Sequence, residues 1–301
     1  MNNSPLLFAG SSHVNLANEV CKNLNISLAK MHLGQFPDGE TEVQILENVQ
    51  GRDVFVLQTI ARQPNHYLME LFIIVDALKR ASPRSITAII PYFGYCRQDR
   101  RNKPGVPITA KLVANLLATS GVSKLITCDL HAGQLEGFFE IAIDHLHAQA
   151  LLCDEAKTII GEECVVVAPD TGSIKIAENM AKICDCDLVV VKKRRVNPTS
   201  VTGILIGDVD NKNVLICDDI CSTAGTLIAA ADLCRQNGAK KIVAVITHAL
   251  FNKESINKIE SSPIDCLIMT NTVEPQNFFA TIKSISIAPI IAEAMRSHLD
   301  K

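Results

Sequence analysis

Short apolar runs rich in Val and Ile alternate with amphipathic stretches along most of the chain. The runs have strand length: Val54–Leu57, Ser85–Ile90, Lys124–Cys128, Cys164–Val167, Leu188–Val191, Val214–Cys217, Lys241–Ile246 and Cys266–Met269. Helical periodicity falls between them, over Asn65–Arg80, Thr109–Ser120, Ser173–Cys184 and Thr226–Asn237. Strands alternating with helices predict an α/β fold of mainly parallel sheets flanked by helices. That pattern fixes a class and leaves function open.

The pattern also repeats. Asp76-Ala-Leu-Lys-Arg80, leading into Ile86-Thr-Ala-Ile-Ile90, parallels Asp232-Leu-Cys-Arg-Gln236, leading into Ile242-Val-Ala-Val-Ile246. Upstream, Arg52-Asp-Val-Phe-Val-Leu57 parallels Lys212-Asn-Val-Leu-Ile-Cys217. Two similar halves are expected, 1–147 and 148–301, the alternative being two alike helix–strand units by chance. Only the second copy follows its strand with two acids, Asp218 and Asp219; the first has Gln58 and Thr59.

Composition narrows the function classes. The 301 residues are 48% hydrophobic, enough for one large core or two medium ones. A net charge of −3 leaves no basic footprint for a nucleic acid or an anionic membrane. No apolar run approaches the roughly 18 to 20 residues of a bilayer span, and Met1–Gly10 lacks the features of a signal peptide. The 11 cysteines are scattered, several of them (Cys128, Cys164, Cys217) in apolar runs. Buried, reduced thiols and a cytoplasmic location are expected. Cys184 and Cys186 lie close together but have no matching Cys/His pair for zinc.

The segment Val214-Leu-Ile-Cys-Asp-Asp-Ile-Cys-Ser-Thr-Ala-Gly-Thr226 reads as strand, acid pair, small-residue loop and helix start. Ligands of open α/β sheets bind at the carboxyl ends of strands. Ser222, Thr223, Ala224, Gly225 and Thr226 let backbone N–H groups approach an anion, helped by the helix N-terminus. Asp218 and Asp219 repel phosphate at close range and instead suit a diol, whose hydroxyls donate to carboxylates. A phosphate cradle beside a diol acceptor describes a phosphorylated pentose; the plainer alternative is a strand end capped by Asp and Ser/Thr.

Other segments add chemistry. Tyr92–Arg101 follows a strand and sets Arg97, Arg100 and Arg101 around Asp99, as forks for phosphate oxygens or as a solvated loop. His131, in Asp129-Leu-His131, is a metal or phosphate ligand or a structural histidine. Asp170, in Pro169-Asp-Thr-Gly-Ser173, is a Mg²⁺ ligand or a helix cap. Phe36-Pro-Asp-Gly-Glu40 has the chemistry of a turn.

The 218–226 segment resembles the phosphoribosyl-diphosphate motif of type I phosphoribosyltransferases and ribose-phosphate diphosphokinases. Phe36–Glu40, Gly94–Asp99, Asp129–His131, Gly137–Phe139, Lys192-Lys-Arg194 and Asp218–Thr226 together, in that order over nearly the whole chain, closely resemble the second family. The resemblance implies two phosphoribosyltransferase-like halves. It also implies transfer of the β,γ-diphosphoryl group of ATP to the 1-hydroxyl of ribose 5-phosphate, in nucleotide biosynthesis. Carried over residue by residue, Arg97 and Gln98 hold ATP. Phe36, Asp38, Gly39 and Glu40 grip the adenine from a neighbouring subunit of a homo-oligomer, in the family a hexamer of dimers. His131 and Asp170 meet Mg²⁺ and its phosphate-bound shell. Asp218 and Asp219 take the ribose hydroxyls, Ser222–Thr226 the 5-phosphate, and Lys192 and Arg194 form the catalytic pair on a mobile loop. Arg194 also contacts the sugar phosphate, and Val196–Thr202 has the composition of a lid.

The chain departs from the pattern in places. Ser222 stands where many members have aspartate, Gly172-Ser173 where Gly-Gly is common, and Ile176 near a common arginine. Gln50 and Ser85 replace arginines of phosphate-activated, ADP-inhibited relatives. Each lost charge-assisted hydrogen bond removes roughly 1.5–3 kcal/mol from an anion site, so weak allosteric control is expected. Two other readings are a phosphoribosyltransferase and a non-catalytic regulatory homologue.

Overall fold

The computed structural model describes residues 5–161, 164–197, 200–275 and 280–299. They form two compact units. Unit 1 comprises 1–146, 272–274 and 286–301; unit 2 comprises 147–271 and 275–285.

Up to residue 146 the chain runs through β1 (Leu6–Ala9), α1 (Val14–Leu24), the hairpin strands β2 (Met31–Gln35) and β3 (Thr41–Ile45), β4 (Asp53–Leu57) and α2 (Pro64–Arg80). Next come β5 (Ser85–Ile90), α3 (Thr109–Ser120), β6 (Lys124–Cys128), a 3₁₀ turn over Gly133–Phe138, and β7 (Ala142–Leu146). It continues with α4 (Gln149–Ile160), β8 (Val165–Ala168), α5 (Ile174–Cys184), β9 (Asp187–Asn197), β10 (Ser200–Ile206) and β11 (Val214–Cys221). After these come α6 (Gly225–Gln236), β12 (Ile242–Ala249), α7 (Lys253–Glu260), β13 (Cys266–Thr270), β14 (Ile282–Ile285) and α8 (Ala288–Leu299).

Unit 1 holds a parallel sheet in the order β1-β4-β5-β6-β7, with β2 and β3 as a separate antiparallel pair. Unit 2 repeats that order as β8-β11-β12-β13-β14 and extends it past β8 with β9 and then the antiparallel β10. The registers match as well: Leu6 lies opposite Val54 and Val54 opposite Ile86, while Val165 lies opposite Val214 and Val214 opposite Ile242. The repeat read from 52–90 and 212–246 is therefore β4-α2-β5 against β11-α6-β12.

Fully apolar strands are buried on both faces, as Val165, Val167, Val214 and Ile216 show on one face and Val166, Leu215 and Val243 on the other in unit 2. Helix α6 covers one face with Leu227, Ala230, Ala231 and Cys234, the spacing of a single helical stripe. Helix α3 stops at Gly121, whose φ of 118° suits only glycine without strain.

The expected division is corrected at its far end: residues 272–274 and 286–301 group with unit 1. The reason is packing. Ile291, Ala292 and Met295 of α8 are buried, and α8 packs on α1 and β7. His298 meets the Phe55 ring edge-on, the centroids 5.6 Å apart, and the Ser286 hydroxyl donates to Glu19. Helix α4 makes the corresponding contacts in unit 2, on α5, β12 and β13. Each large apolar side chain so buried contributes roughly 1.5–3 kcal/mol.

One further expectation is corrected. Cys153 on α4 and Cys184 on α5 are joined in a disulfide, their Cα atoms 6.3 Å apart, because both sit on the buried faces of packed helices. Nine cysteines are free thiols. Lys192–Arg195 continue β9, where backbone pairing sets Lys192 opposite Ile204 and Arg194 opposite Thr202. Residues 198–199 of the expected lid lie outside the described residues. Among the described residues, no helix is long and apolar enough to cross a membrane.

Candidate active site at the carboxyl edge of the second sheet

In unit 2 the chain leaves β8 for β9 on one side and later returns to β11 on the other. The carboxyl ends of β8 and β11 are therefore a topological switch point, where the outgoing segments diverge and leave a crevice. Three predicted segments stand at this edge. Asp170 follows β8 directly, and Asp218 and Asp219 lie on β11 beyond Ile216, the last residue paired with β8. Lys192 lies two residues past Val190, which pairs with Ala168 at the end of β8. Lys192 is exposed; the side chain of Arg194 lies outside the described residues.

Asp219 is buried and Asp218 nearly so. Burial, with the neighbouring Asp219 carboxylate adding to it, pushes Asp218 up to about 7. The Ser173 hydroxyl and the Asp219 N–H donate to Asp218 Oδ1 at 2.8 and 3.0 Å and pull the other way. A ligand that donates hydrogen bonds favours the charged form of a buried carboxyl such as Asp218.

The loop after them carries the opposite preference. Ala224 precedes α6 in the left-handed conformation (φ 60°, ψ 0°), and no side chain caps the helix. A non-glycine residue in that region costs on the order of 1 kcal/mol and persists where the surroundings enforce it. The first N–H groups of α6 are thus offered, with the helix dipole, to an anion. Gly225 and Thr223 are exposed, Ser222 and Thr226 half-buried. The Ser255 hydroxyl on α7 donates to the Ser222 carbonyl at 2.6 Å and fixes the loop from behind.

Asp170 is not the helix cap that sequence allowed as an alternative. Its Oδ1 accepts the N–H groups of Gly172 at 2.8 Å and Ser173 at 3.3 Å, and the cap position of α5 is Ser173.

The remaining predicted residues lie in unit 1. Phe36–Glu40 is the tip of the β2–β3 hairpin: the Phe36 N–H donates to the Glu40 carbonyl at 2.8 Å, and the Glu40 N–H to Asp38 Oδ1 at 3.2 Å. Gly39 has φ 92°, which needs glycine, and Phe36 is 47% exposed. Arg97 and Gln98 are exposed after β5; Gln98 Oε1 accepts from the Thr109 hydroxyl at 2.6 Å, tying this loop to the start of α3. His131 is exposed beyond β6, next to Leu130, whose N–H donates to His145 Nε2 at 2.8 Å.

Two residues were missed as site-builders. Ser255 sits far along the sequence on an ordinary amphipathic helix, with no local signal. Ser173 stood out only as a departure from a common glycine. A cavity of about 940 Å³ opens at the other edge of the same sheet, lined by Cys164, Asp187, Asn211 and Lys212 among others. Its acids, Glu178, Asp185 and Asp187, are not set beside a small-residue helix start, so chemistry and not volume selects the carboxyl edge.

Repeated α/β units, one with an acid pair and an amide-rich loop at its switch point, define a phosphoribosyltransferase-like protein. The phosphoribosyl transferase domain model matches residues 136–278, and that of the N-terminal domain of ribose phosphate pyrophosphokinase matches residues 6–121. The chain is 44% identical over 292 residues to a ribose-phosphate pyrophosphokinase of Helicobacter hepaticus, covering 96% of this chain and 94% of the relative. It is 42% identical over 295 residues to ribose-phosphate pyrophosphokinase A of Dictyostelium discoideum, covering 96% and 93%. The crystal structure of phosphoribosylpyrophosphate synthetase from Mycobacterium smegmatis superposes with a TM-score of 0.93 at 36% identity, covering 99% of each chain. The chain belongs to the ribose-phosphate pyrophosphokinase family.

Proposed function

We propose that this chain transfers the β,γ-diphosphoryl group of ATP to the 1-hydroxyl of ribose 5-phosphate, yielding 5-phosphoribosyl 1-diphosphate and AMP for nucleotide biosynthesis in the cytoplasm. The observation that carries this reading is the edge of unit 2: two adjacent, largely buried acids next to a helix start with no side-chain cap. Asp218 and Asp219 accept from the ribose hydroxyls while Ser222–Thr226 hold the 5-phosphate. This orientation satisfies both groups at once.

The 1-hydroxyl oxygen attacks the β-phosphorus, the bond from the β-phosphorus to the oxygen bridging it to the α-phosphorus breaks, and the hydroxyl proton goes to solvent as AMP leaves. Such transfers depend on alignment and on cancelling phosphate charge. Lys192, exposed beyond the end of β8, supplies positive charge to those oxygens, and Arg194 is assigned the same role and contact with the sugar phosphate. Asp170 offers a hard oxygen donor held in place by two backbone N–H groups, which suits Mg²⁺, an ion that takes one or two carboxylates plus phosphate oxygens. His131 is assigned to the same phosphate-bound shell. When bound, Mg²⁺ neutralises and orients the diphosphate.

Arg97 and Gln98 are assigned to ATP. Phe36, Asp38, Gly39 and Glu40, at an exposed hairpin tip, are assigned to the adenine of a neighbouring subunit, so activity requires a homo-oligomer, a hexamer of dimers by likeness to the family. The test is AMP formation from Mg-ATP and ribose 5-phosphate with no nucleobase present. AMP in step with sugar consumption is expected. Binding of both substrates without AMP would leave a non-catalytic regulator, and turnover only with a nucleobase and phosphoribosyl diphosphate would leave a phosphoribosyltransferase.

A further inference from the structure

Ser173 occupies the cap position of α5, where a serine ordinarily accepts an N–H from the first turn and adds about 1 kcal/mol of helix stability. Here its side chain makes no capping bond. The helix does begin there, since the Ala177 N–H donates to the Ser173 carbonyl at 2.9 Å. The hydroxyl turns away and donates to Asp218 Oδ1 at 2.8 Å, across 45 residues of sequence. A weaker approach to Asp170 Oδ1, at 3.4 Å, loses to it, because one proton serves one strong bond. Ser173 is 4% exposed, so solvent does not take the place of this partner.

We infer that Ser173 is a positioning residue for sugar binding, which locks the Asp218 carboxylate in the rotamer that receives the ribose hydroxyls and fastens it to the Asp170 loop. The inference rests on the proposed ribose 5-phosphate site. Ser173 joins the two segments with different parts of itself: its backbone N–H donates to Asp170 Oδ1 and its hydroxyl to Asp218 Oδ1. Asp218 Oδ1 also accepts the Asp219 N–H at 3.0 Å, so protein donors occupy both of its lone pairs. Ligand hydroxyls are then met by Oδ2. Without the hydroxyl, Oδ1 keeps one donor and the carboxylate swings about χ2, the broad terminal torsion of an aspartate. A glycine at 173 has no group to make this link, so the departure noted in the sequence adds a constraint that a Gly-Gly loop lacks.

The experiment compares the full-length wild type with Ser173→Ala, Asp218→Ala and the double variant, measuring the Kd of ribose 5-phosphate and the KM and kcat for AMP formation. Ser173→Ala is expected to weaken ribose 5-phosphate about tenfold, leave the KM for ATP within about twofold, and spare most of kcat. In the Asp218→Ala background the same change is expected to add almost nothing, because its partner is gone. A serine that merely supported α5 would give additive effects, and additivity overturns the inference. So does a Kd for Ser173→Ala within twofold of the wild type. If Ser173→Ala melts out, Ser173→Gly carries the same comparison. Failure of the wild type to form AMP would count against the proposed function, whereas an active wild type with an indifferent Ser173→Ala would count against this inference alone.

Discussion

In unit 1, β4 runs into Gln58 and Thr59; at the matching place in unit 2, β11 carries Asp218 and Asp219. Gln58 is fully buried, accepts the Ser12 N–H at 3.1 Å, and donates to the Tyr67 carbonyl at 3.2 Å and to Glu70 at 2.5 Å. Glu70 takes the Ser11 N–H and hydroxyl as well. Thr59 donates to the Thr272 carbonyl at 2.6 Å. A Cβ added to Gly10 would lie 2.3 Å from Gln58 Oε1, so the crevice is filled by the protein's own amide. In unit 2 the same strand order presents Asp218, whose Oδ1 accepts one hydroxyl and one N–H, and a helix start with no side-chain cap. One topology thus gives a closed polar plug in one copy and a helix start open to an anion in the other.

The sharpest way to test that contrast is Lys192→Ala. It is expected to cut kcat by roughly 10²–10³-fold, the scale for removing one charge-stabilising group, while calorimetry shows ribose 5-phosphate binding largely intact. Near-normal turnover would remove Lys192 from the mechanism.

Next is Asp218→Asn in the ligand-free protein. Asp218 sits at about 7 when folded against an ordinary 3.8, so the folded state holds a proton that the unfolded state releases. Folding stability should therefore fall as pH rises from about 4 to about 7 and level off above, by on the order of 2–4 kcal/mol. Asp218→Asn should flatten this slope in urea melts taken across that range. A wild-type curve already flat there would show that the acid pair is not strained.

Gln58→Ala probes the plugged copy. It strips partners from Glu70 and the Ser12 N–H, so a loss of about 2 kcal/mol is expected with no change in the KM for ribose 5-phosphate. A raised KM would mean that the first copy's strand end takes part in sugar binding. The smallest effect is expected of Ala224→Gly, which relieves a left-handed alanine and should add up to about 1 kcal/mol of stability. Destabilisation instead would show that the strain is absent.

Strands that are apolar from end to end were readable from sequence, and Ser85–Ile90, Lys124–Cys128 and Thr109–Ser120 fall where periodicity put them. Among the elements that escaped, β2 and β3 have no buried residue, and β14 has four residues with two of them exposed. Helix α8 was missed for another reason, since Ala, Ile and Met at its buried positions say that something covers them and not what. The acid pair and small-residue loop were visible because strand, acids and helix start are contiguous. Ser173 and Ser255 reach them from 45 and 33 residues away, and only the folded chain shows it.

The placement of α8 in unit 1 bears on how the protein is made. Translation delivers α1 well before α8, with 263 residues between the end of one and the start of the other. At roughly 5–20 residues per second on the ribosome, the apolar side of α1 waits about 13 to 53 seconds for α8. Unit 1 thus begins to emerge before unit 2 and closes after it, and the nascent chain needs shielding from aggregation over that interval.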